Sequence, residues 1–341
     1  MTEPSDEAGP ESGSTAGTSR PATAGAAGLG LFRFTIEGRA APGLFVAGWI
    51  AVLVGGSAGL VGALAGRNLA GTLLFVLGLA VVLVALILLG GSQSIERRQA
   101  GAAYAGPSPL LALGAVVTGW YLAAIAIVTP MSLLGLRVAG PALSLLGVAI
   151  QALVVLAMLR LMVVGGEALT WGEMGWTRPS AAALREVARG AVYAVPVIVV
   201  TALVVALLEA LIRQQPASPL PPTGTSAGLL LNLLTGALIA PVYEELFFRG
   251  FALTAWRRTG SAGRAVLRSA VLFAAVHAID QSGATFGEAA GIAIVAAGAR
   301  FPVALALGFL FERRRSLWAA IGLHATFNGL LIIIAERALS G

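Results

Sequence analysis

Among the polar or ionisable side chains within apolar segments of this 341-residue chain, six have types and spacings that could support catalysis. A charged side chain in hydrocarbon is costly, so residues of this kind mark candidate functional sites. Both histidines of the chain belong to the set. The six residues are Glu244, Glu245 and Arg249 of PVYEELFFRG, His277, His324 and Asn328.

The depth of these side chains can be read from the arginines that end each apolar segment. Glu244, His277 and Asn328 each lie thirteen residues from such an arginine, which corresponds to about 20 Å along a helix. His324 lies at roughly 13 Å by the same rise. Three separate segments therefore present polar groups at a similar level, which predicts one shared site.

Helical spacing assigns different tasks to the two adjacent glutamates. Glu245 and Arg249 are four residues apart, on one helix face, and this spacing predicts an internal ion pair. Glu244 points about 100° away from Glu245, which leaves its carboxylate for chemistry. His324 and Asn328 are also four residues apart and share a face.

Two mechanisms of amide hydrolysis fit this set of side chains. In the first, which needs no cofactor, Glu244 and His277 activate a water molecule, and His324 and Asn328 donate to the oxyanion of the tetrahedral intermediate. In the second, His277, His324 and Glu244 hold Zn²⁺, whose bound water attacks the amide. The residue types and spacings leave both mechanisms open.

The elements that must position these residues are membrane-spanning helices. The chain is 57% hydrophobic and 11% charged, whereas soluble domains contain about 25% charged residues. Apolar runs of about 18 residues or more recur along it, which predicts an all-α, polytopic membrane protein with about eight or nine transmembrane helices. Nine apolar segments are found at residues 44–66, 70–91, 109–134, 141–164, 190–212, 226–254, 265–281, 288–311 and 317–335.

The basic residues are all arginine, and their distribution predicts a cytoplasmic N-terminus. They fall in short loops, which favours topology and anionic lipid over nucleic acid as their role. Fourteen arginines then lie inside: Arg33, Arg39, Arg97, Arg98, Arg178, Arg185, Arg189, Arg257, Arg258, Arg264, Arg268, Arg313, Arg314 and Arg315. Those clearly outside are Arg67, Arg137, Arg213 and Arg337.

Composition divides the chain into three regions. Residues 1–40 are predicted to be a disordered cytoplasmic tail, because the Gly-, Ser- and Pro-rich start cannot bury enough apolar surface to fold. Residues 41–140 hold the N-terminal transmembrane helices, and residues 141–337 hold the core that carries all six polar side chains.

Three motifs in this core resemble those of a known protease family. EELFFR fits EExxxR, FAAVH fits FxxxH, and HATFN fits HxxxN, in the family's order. The chain thus resembles the CPBP family of intramembrane proteases, which includes the CAAX prenyl endopeptidase and the bacterial Abi proteins. The resemblance implies that Glu244 and His277 activate water, and that His324 and Asn328 stabilise the oxyanion. Glu245 and Arg249 would support the site.

The resemblance implies an integral membrane endopeptidase acting on a membrane-associated peptide or protein. The Arg-only, Ala- and Gly-rich composition suggests a bacterial plasma membrane, where CAAX-prenylated substrates are not expected. Two other functions are alternatives. One is a non-enzymatic immunity or scaffold protein that binds through the same polar cavity. The other is a proton-coupled transporter, which the lack of a visible internal repeat disfavours.

Overall fold

The computed structural model describes residues 30–66, 68–279 and 281–340, and these residues form helices and no strand. This confirms the predicted all-α class. The predicted tail lies outside the described residues as far as residue 29, as does Arg67. The helices are α1 (Pro42–Leu64), α2 (Leu69–Gln99), α3 (Pro109–Leu133), α4 (Pro141–Val164), α5 (Ala181–Ala191), α6 (Ala194–Ile212), α7 (Ser226–Thr259), α8 (Ala262–Val276), α9 (Phe286–Arg314) and α10 (Leu317–Ser340).

Within the described residues, eight helical segments are long and apolar enough to cross a membrane, with α5 and α6 counted as one. The separate span predicted at residues 265–281 is wrong in its extent. It is the helix α8, of 15 residues, whereas a span needs about 20. The helix ends where His277 begins a turn. By contrast, α9 continues through Pro302, which the sequence pattern treated as an interruption.

Ion pairs gather several helix ends at one arginine-rich end of the molecule. Arg257 at the end of α7 pairs with Glu312 near the end of α9 at 2.9 Å. Arg314 joins the end of α9 to Glu186 of α5 at 2.7 Å. The ends of α5, α7 and α9 therefore lie at the same end of the molecule. The arginines at these helix ends were predicted to share one side of the membrane. Which compartment this end faces remains a prediction.

The short helix α8 still belongs to a crossing of the molecule. At the other end of α9, Gly291 faces Gln214, just beyond the end of α6. The chain between α7 and α9 must therefore return from the arginine-rich end to the opposite end. It does so in part through α8, which is 15 residues long and covers about 22 Å.

Residues 30–40, which the predicted tail included, are held at the arginine-rich end by Arg39. The Arg39 guanidinium pairs with Glu96 of α2 at 2.8 Å and donates to the backbone carbonyls of Gly30, Arg33 and Thr35. Its side chain is buried. This short segment therefore packs against the ends of α1 and α2.

A pair of glycines sets α5 against the first turns of α10. A Cβ added to Gly190 would lie 1.9 Å from the carbonyl oxygen of Ala319, and one added to Gly322 would lie 2.1 Å from that of Val187. No side chain fits at either distance, so the two backbones meet directly. This contact fixes the start of α10, the helix that carries His324.

Candidate active site

The helix α7 carries both glutamates between two π-helical turns. Its residues Leu234–Ile239 and Leu246–Leu253 are π-helical, and Glu244 and Glu245 lie in the α-helical segment between them. π turns are rare and frequently occur at functional sites, because they rotate side chains and release backbone groups from the regular hydrogen-bond pattern. The release of a backbone group is seen at Gly236.

The first π turn supplies the partner of Asn328. The backbone N–H of Ala240 donates to the carbonyl of Thr235, five residues earlier. Pro241 has no N–H to offer the next carbonyl, that of Gly236. The Asn328 Nδ2 donates to this carbonyl instead, at 2.8 Å. Asn328 is thus fixed against α7, with a second N–H on the same nitrogen.

Glu245 lies at the centre of a buried polar cluster. Arg249 donates to its Oε1 at 3.0 Å, which confirms the predicted ion pair. His324 Nδ1 lies 2.7 Å from the same oxygen, a contact that sequence spacing could not predict. Arg249 also donates to the carbonyl of Ala304 on α9 at 3.0 Å. The Glu245 and Arg249 side chains are fully buried, and the cluster ties α7 to α9 and α10.

The Glu244 carboxylate lies at the edge of this cluster, and its side chain retains 13% exposure. Its Oε2 lies 3.8 Å from His324 Nε2, beyond hydrogen-bond distance. Its Oε1 lies 3.3 Å from the Tyr243 hydroxyl, which is also 2.8 Å from Gln151 Oε1 on α4. Tyr243 and Gln151 were missed from the sequence. A glutamine within the apolar run of α4 was the available signal.

His277 begins the turn that follows α8, and its ring is oriented by its own helix. Its Nδ1 lies 2.8 Å from the carbonyl of Phe273. Because a carbonyl only accepts, we assign the proton to Nδ1, which leaves Nε2 as an acceptor. The Phe273 ring contacts both histidines, with centroids 4.5 Å from His277 and 5.7 Å from His324.

The structure thus brings Glu244, Glu245, Arg249 and His324 into direct proximity and places His277 against the same Phe273 ring. A Glu245 carboxylate accepts but does not donate, so the proton between it and His324 lies on Nδ1 and the free Nε2 points toward Glu244. In both histidines, Nδ1 donates its hydrogen to an oxygen and Nε2 carries no hydrogen. Imidazoles held in this way are suited by type either to proton transfer or to metal ligation.

The fit of this site to zinc can be judged from the donor positions. Among residues 30–66, 68–279 and 281–340, no three His, Cys, Asp or Glu side chains converge closely enough to hold a metal ion. His277, His324 and Glu244 supply suitable donor types, but their described positions do not form a ligand set. Zinc binding therefore stays a prediction.

Comparison with known proteins identifies the class to which this arrangement is related. Residues 226–330 match the family model described as type II CAAX prenyl endopeptidase Rce1-like. The matched segment runs from α7 into α10 and contains all three motifs, so the resemblance to CAAX-type proteases is confirmed over that segment. The searches of curated proteins and of solved structures each gave no match. The chain is an integral membrane protein with a CAAX-protease-like segment.

Proposed function

We propose that this protein is an intramembrane endopeptidase that hydrolyses a peptide bond of a membrane-associated protein or peptide. The observation that carries the proposal is the separation of two adjacent carboxylates. Glu245 is fully buried and bonded to Arg249 and His324, whereas Glu244 is partly exposed beside His324 Nε2. This difference supports a structural role for Glu245 and a catalytic role for Glu244, and both residues lie within the segment that matches the family model.

The reaction begins with a water molecule held by Glu244 and His277. Glu244 takes a proton from this water while the water oxygen attacks the carbonyl carbon of the peptide bond. The carbonyl oxygen then becomes an oxyanion. His277 accepts a hydrogen bond from the same water through Nε2 and orients it. When the tetrahedral intermediate collapses, the carbon–nitrogen bond breaks and Glu244 returns the proton to the leaving amine.

Two side chains of α10 are assigned to the oxyanion. Asn328 uses one Nδ2 hydrogen on Gly236, and its second is the donor we assign to the intermediate. His324 donates through Nε2 when that nitrogen is protonated, while Glu245 holds Nδ1. Donors of this kind, aimed where charge develops, each contribute about 3–4 kcal/mol to transition-state stabilisation in other hydrolases.

The substrate and setting follow from the membrane location. The candidate site lies about 20 Å from the arginine-rich end of α7 by helical rise. The peptide bond that is cleaved must therefore reach this depth, which favours a membrane-associated substrate. We place the protein in a bacterial plasma membrane with its N-terminus in the cytoplasm, because of the arginine distribution and composition. A zinc-dependent form of the reaction would be abolished by a chelator, whereas the mechanism above would not.

The test is a comparison of peptide N-termini in membranes of cells that express wild-type protein, Glu244→Gln or Glu209→Gln. Glu209 lies near the end of α6 and pairs with Gln215, so its variant is the matched control. We expect a set of membrane-protein cleavages to be present with wild type and Glu209→Gln and absent with Glu244→Gln. Identical profiles in all three would contradict the proposal and favour a non-enzymatic binding protein.

A further inference from the structure

Tyr243 and Gln151 form a polar contact within the membrane that the mechanism above does not use. Gln151 lies within the apolar run of α4, and Tyr243 directly precedes the catalytic glutamate on α7. Polar side chains at such depth are expensive unless they are paired. Their hydroxyl–amide distance is 2.8 Å, and the same hydroxyl lies 3.3 Å from Glu244 Oε1.

The Tyr243 hydroxyl has one proton and faces two acceptors. When Glu244 is ionised, the proton is donated to the carboxylate, and the Gln151 amide turns its NH₂ toward the tyrosine oxygen. When Glu244 has taken the proton of the attacking water, its O–H donates to the tyrosine oxygen, and the hydroxyl donates to Gln151 Oε1. The three groups therefore remain hydrogen-bonded in both states, and no proton leaves the tyrosine.

The ring of Tyr243 has a second contact, with an apolar groove between α4 and α7. The groove has a volume of about 220 Å³. The tyrosine side chain is buried, lines the groove, and contacts the Glu244 carboxylate through its hydroxyl. The residues that line the groove are Ala152, Leu156, Leu238, Ile239, Val242 and Tyr243. Replacing the tyrosine with phenylalanine would keep this wall and remove only the hydroxyl.

We infer that Tyr243 and Gln151 are positioning residues that hold the Glu244 carboxylate in one orientation through both protonation states of the reaction. Gln151 acts through Tyr243, since its contact is with the tyrosine hydroxyl. The inference rests on the proposed role of Glu244 as the base. It assigns α4, which lies outside the segment matched by the family model, a direct part in the site.

The kinetic test uses purified protein in lipid vesicles and a peptide whose cleavage disappears with Glu244→Gln. Tyr243→Phe should lower kcat about 10- to 100-fold, the range for a lost hydrogen bond to a charged group, with KM unchanged. The Gln151→Leu change should have no further effect in the Tyr243→Phe background. Tyr121→Phe, an exposed tyrosine on α3, is the control. Wild-type kcat in Tyr243→Phe, or additive effects of the two changes, would overturn the inference.

An infrared measurement decides the same question without any substrate. The band of the protonated Glu244 carboxyl is identified as the one lost in Glu244→Gln on acidification. We expect this band to move to higher frequency in Tyr243→Phe, because a hydrogen-bond partner is lost, and to stay in place in Tyr121→Phe. An unmoved band in Tyr243→Phe would refute the positioning role. Equal cleavage by wild type and Glu244→Gln would instead refute the proposed function, and with it the catalytic purpose of this orientation, while a shifted band would still show the hydrogen bond.

Discussion

At the scale of single residues, adjacent glutamates have opposite surroundings because they sit on different faces of one helix. Glu245 is fully buried and bonded to Arg249 and His324, whereas Glu244 contacts the hydroxyl of Tyr243 and is partly exposed. A buried charge needs a partner that remains in place. These surroundings fit the proposed division of roles, in which Glu244 serves the chemistry and Glu245 serves the fold.

Removing Glu245 should destabilise the protein more than removing Glu244. Glu245→Ala leaves the Arg249 guanidinium buried without its counter-ion, which costs about 3–5 kcal/mol. We expect the thermal unfolding midpoint in detergent to fall clearly with Glu245→Ala and to stay near wild type with Glu244→Gln. Equal unfolding midpoints for the two variants would contradict the division of roles.

Arg249→Lys should also destabilise the protein, although it keeps the positive charge. Arg249 donates to Glu245 and to the Ala304 carbonyl through two different nitrogens and stacks over the Phe273 ring at 4.6 Å. A lysine ammonium lacks the planar fork that makes these contacts together. We expect a lowered unfolding midpoint for this variant, and a wild-type midpoint would show that charge alone suffices.

At the scale of elements, α5 positions the helix that carries His324. Gly190 allows the α5 backbone to touch that of α10, with a would-be Cβ 1.9 Å from the Ala319 carbonyl. Gly190→Ala should therefore push the helices apart, cost about 1–3 kcal/mol and reduce cleavage. Gly263→Ala on α8 is the control, since nothing lies within 4 Å of its added Cβ. Cleavage and unfolding at wild-type levels in Gly190→Ala would contradict this role for α5.

Local features of the elements could be predicted from the sequence, and contacts between them could not. The spans follow from apolar length, and the Glu245–Arg249 pair follows from a four-residue spacing, because both depend on residues close in the chain. The bond between Glu245 and His324 joins residues 79 positions apart, and its existence depends on how α7 packs on α10. The similar depth of the polar residues predicted that they share a site, but it did not predict that Glu245 bonds to His324.

Backbone register was the other feature that sequence periodicity did not reveal. A regular helix over 226–254 was the expectation, whereas two π turns flank the glutamates. The free carbonyl of Gly236 arises from the first turn together with Pro241, so the partner of Asn328 could not be foreseen. Pro241 is visible in the sequence, but it leaves the Gly236 carbonyl without a backbone partner only because the hydrogen bonds of this turn join residues five apart. Sequence periodicity does not reveal that spacing.

At the scale of the whole molecule, the predicted orientation in the membrane rests on the arginine-rich end. The chain contains no cysteine, so single introduced cysteines report sidedness cleanly. Ser261→Cys lies in the connection after α7, and Ser218→Cys lies in the opposite loop after α6; both positions are exposed. A membrane-impermeant maleimide should label Ser218→Cys in intact cells and Ser261→Cys only after permeabilisation. The reverse pattern would place the N-terminus outside.

The most direct test of the central claim is the cleavage rate of purified Glu244→Gln protein in lipid vesicles, measured beside its unfolding midpoint. The substrate is a peptide whose cleavage in membranes depends on the wild-type protein. We predict a rate about 100- to 10,000-fold below wild type, the contribution of a general base, with the wild-type unfolding midpoint retained. Cleavage at the wild-type rate by folded Glu244→Gln would contradict the assignment of Glu244 as the catalytic base.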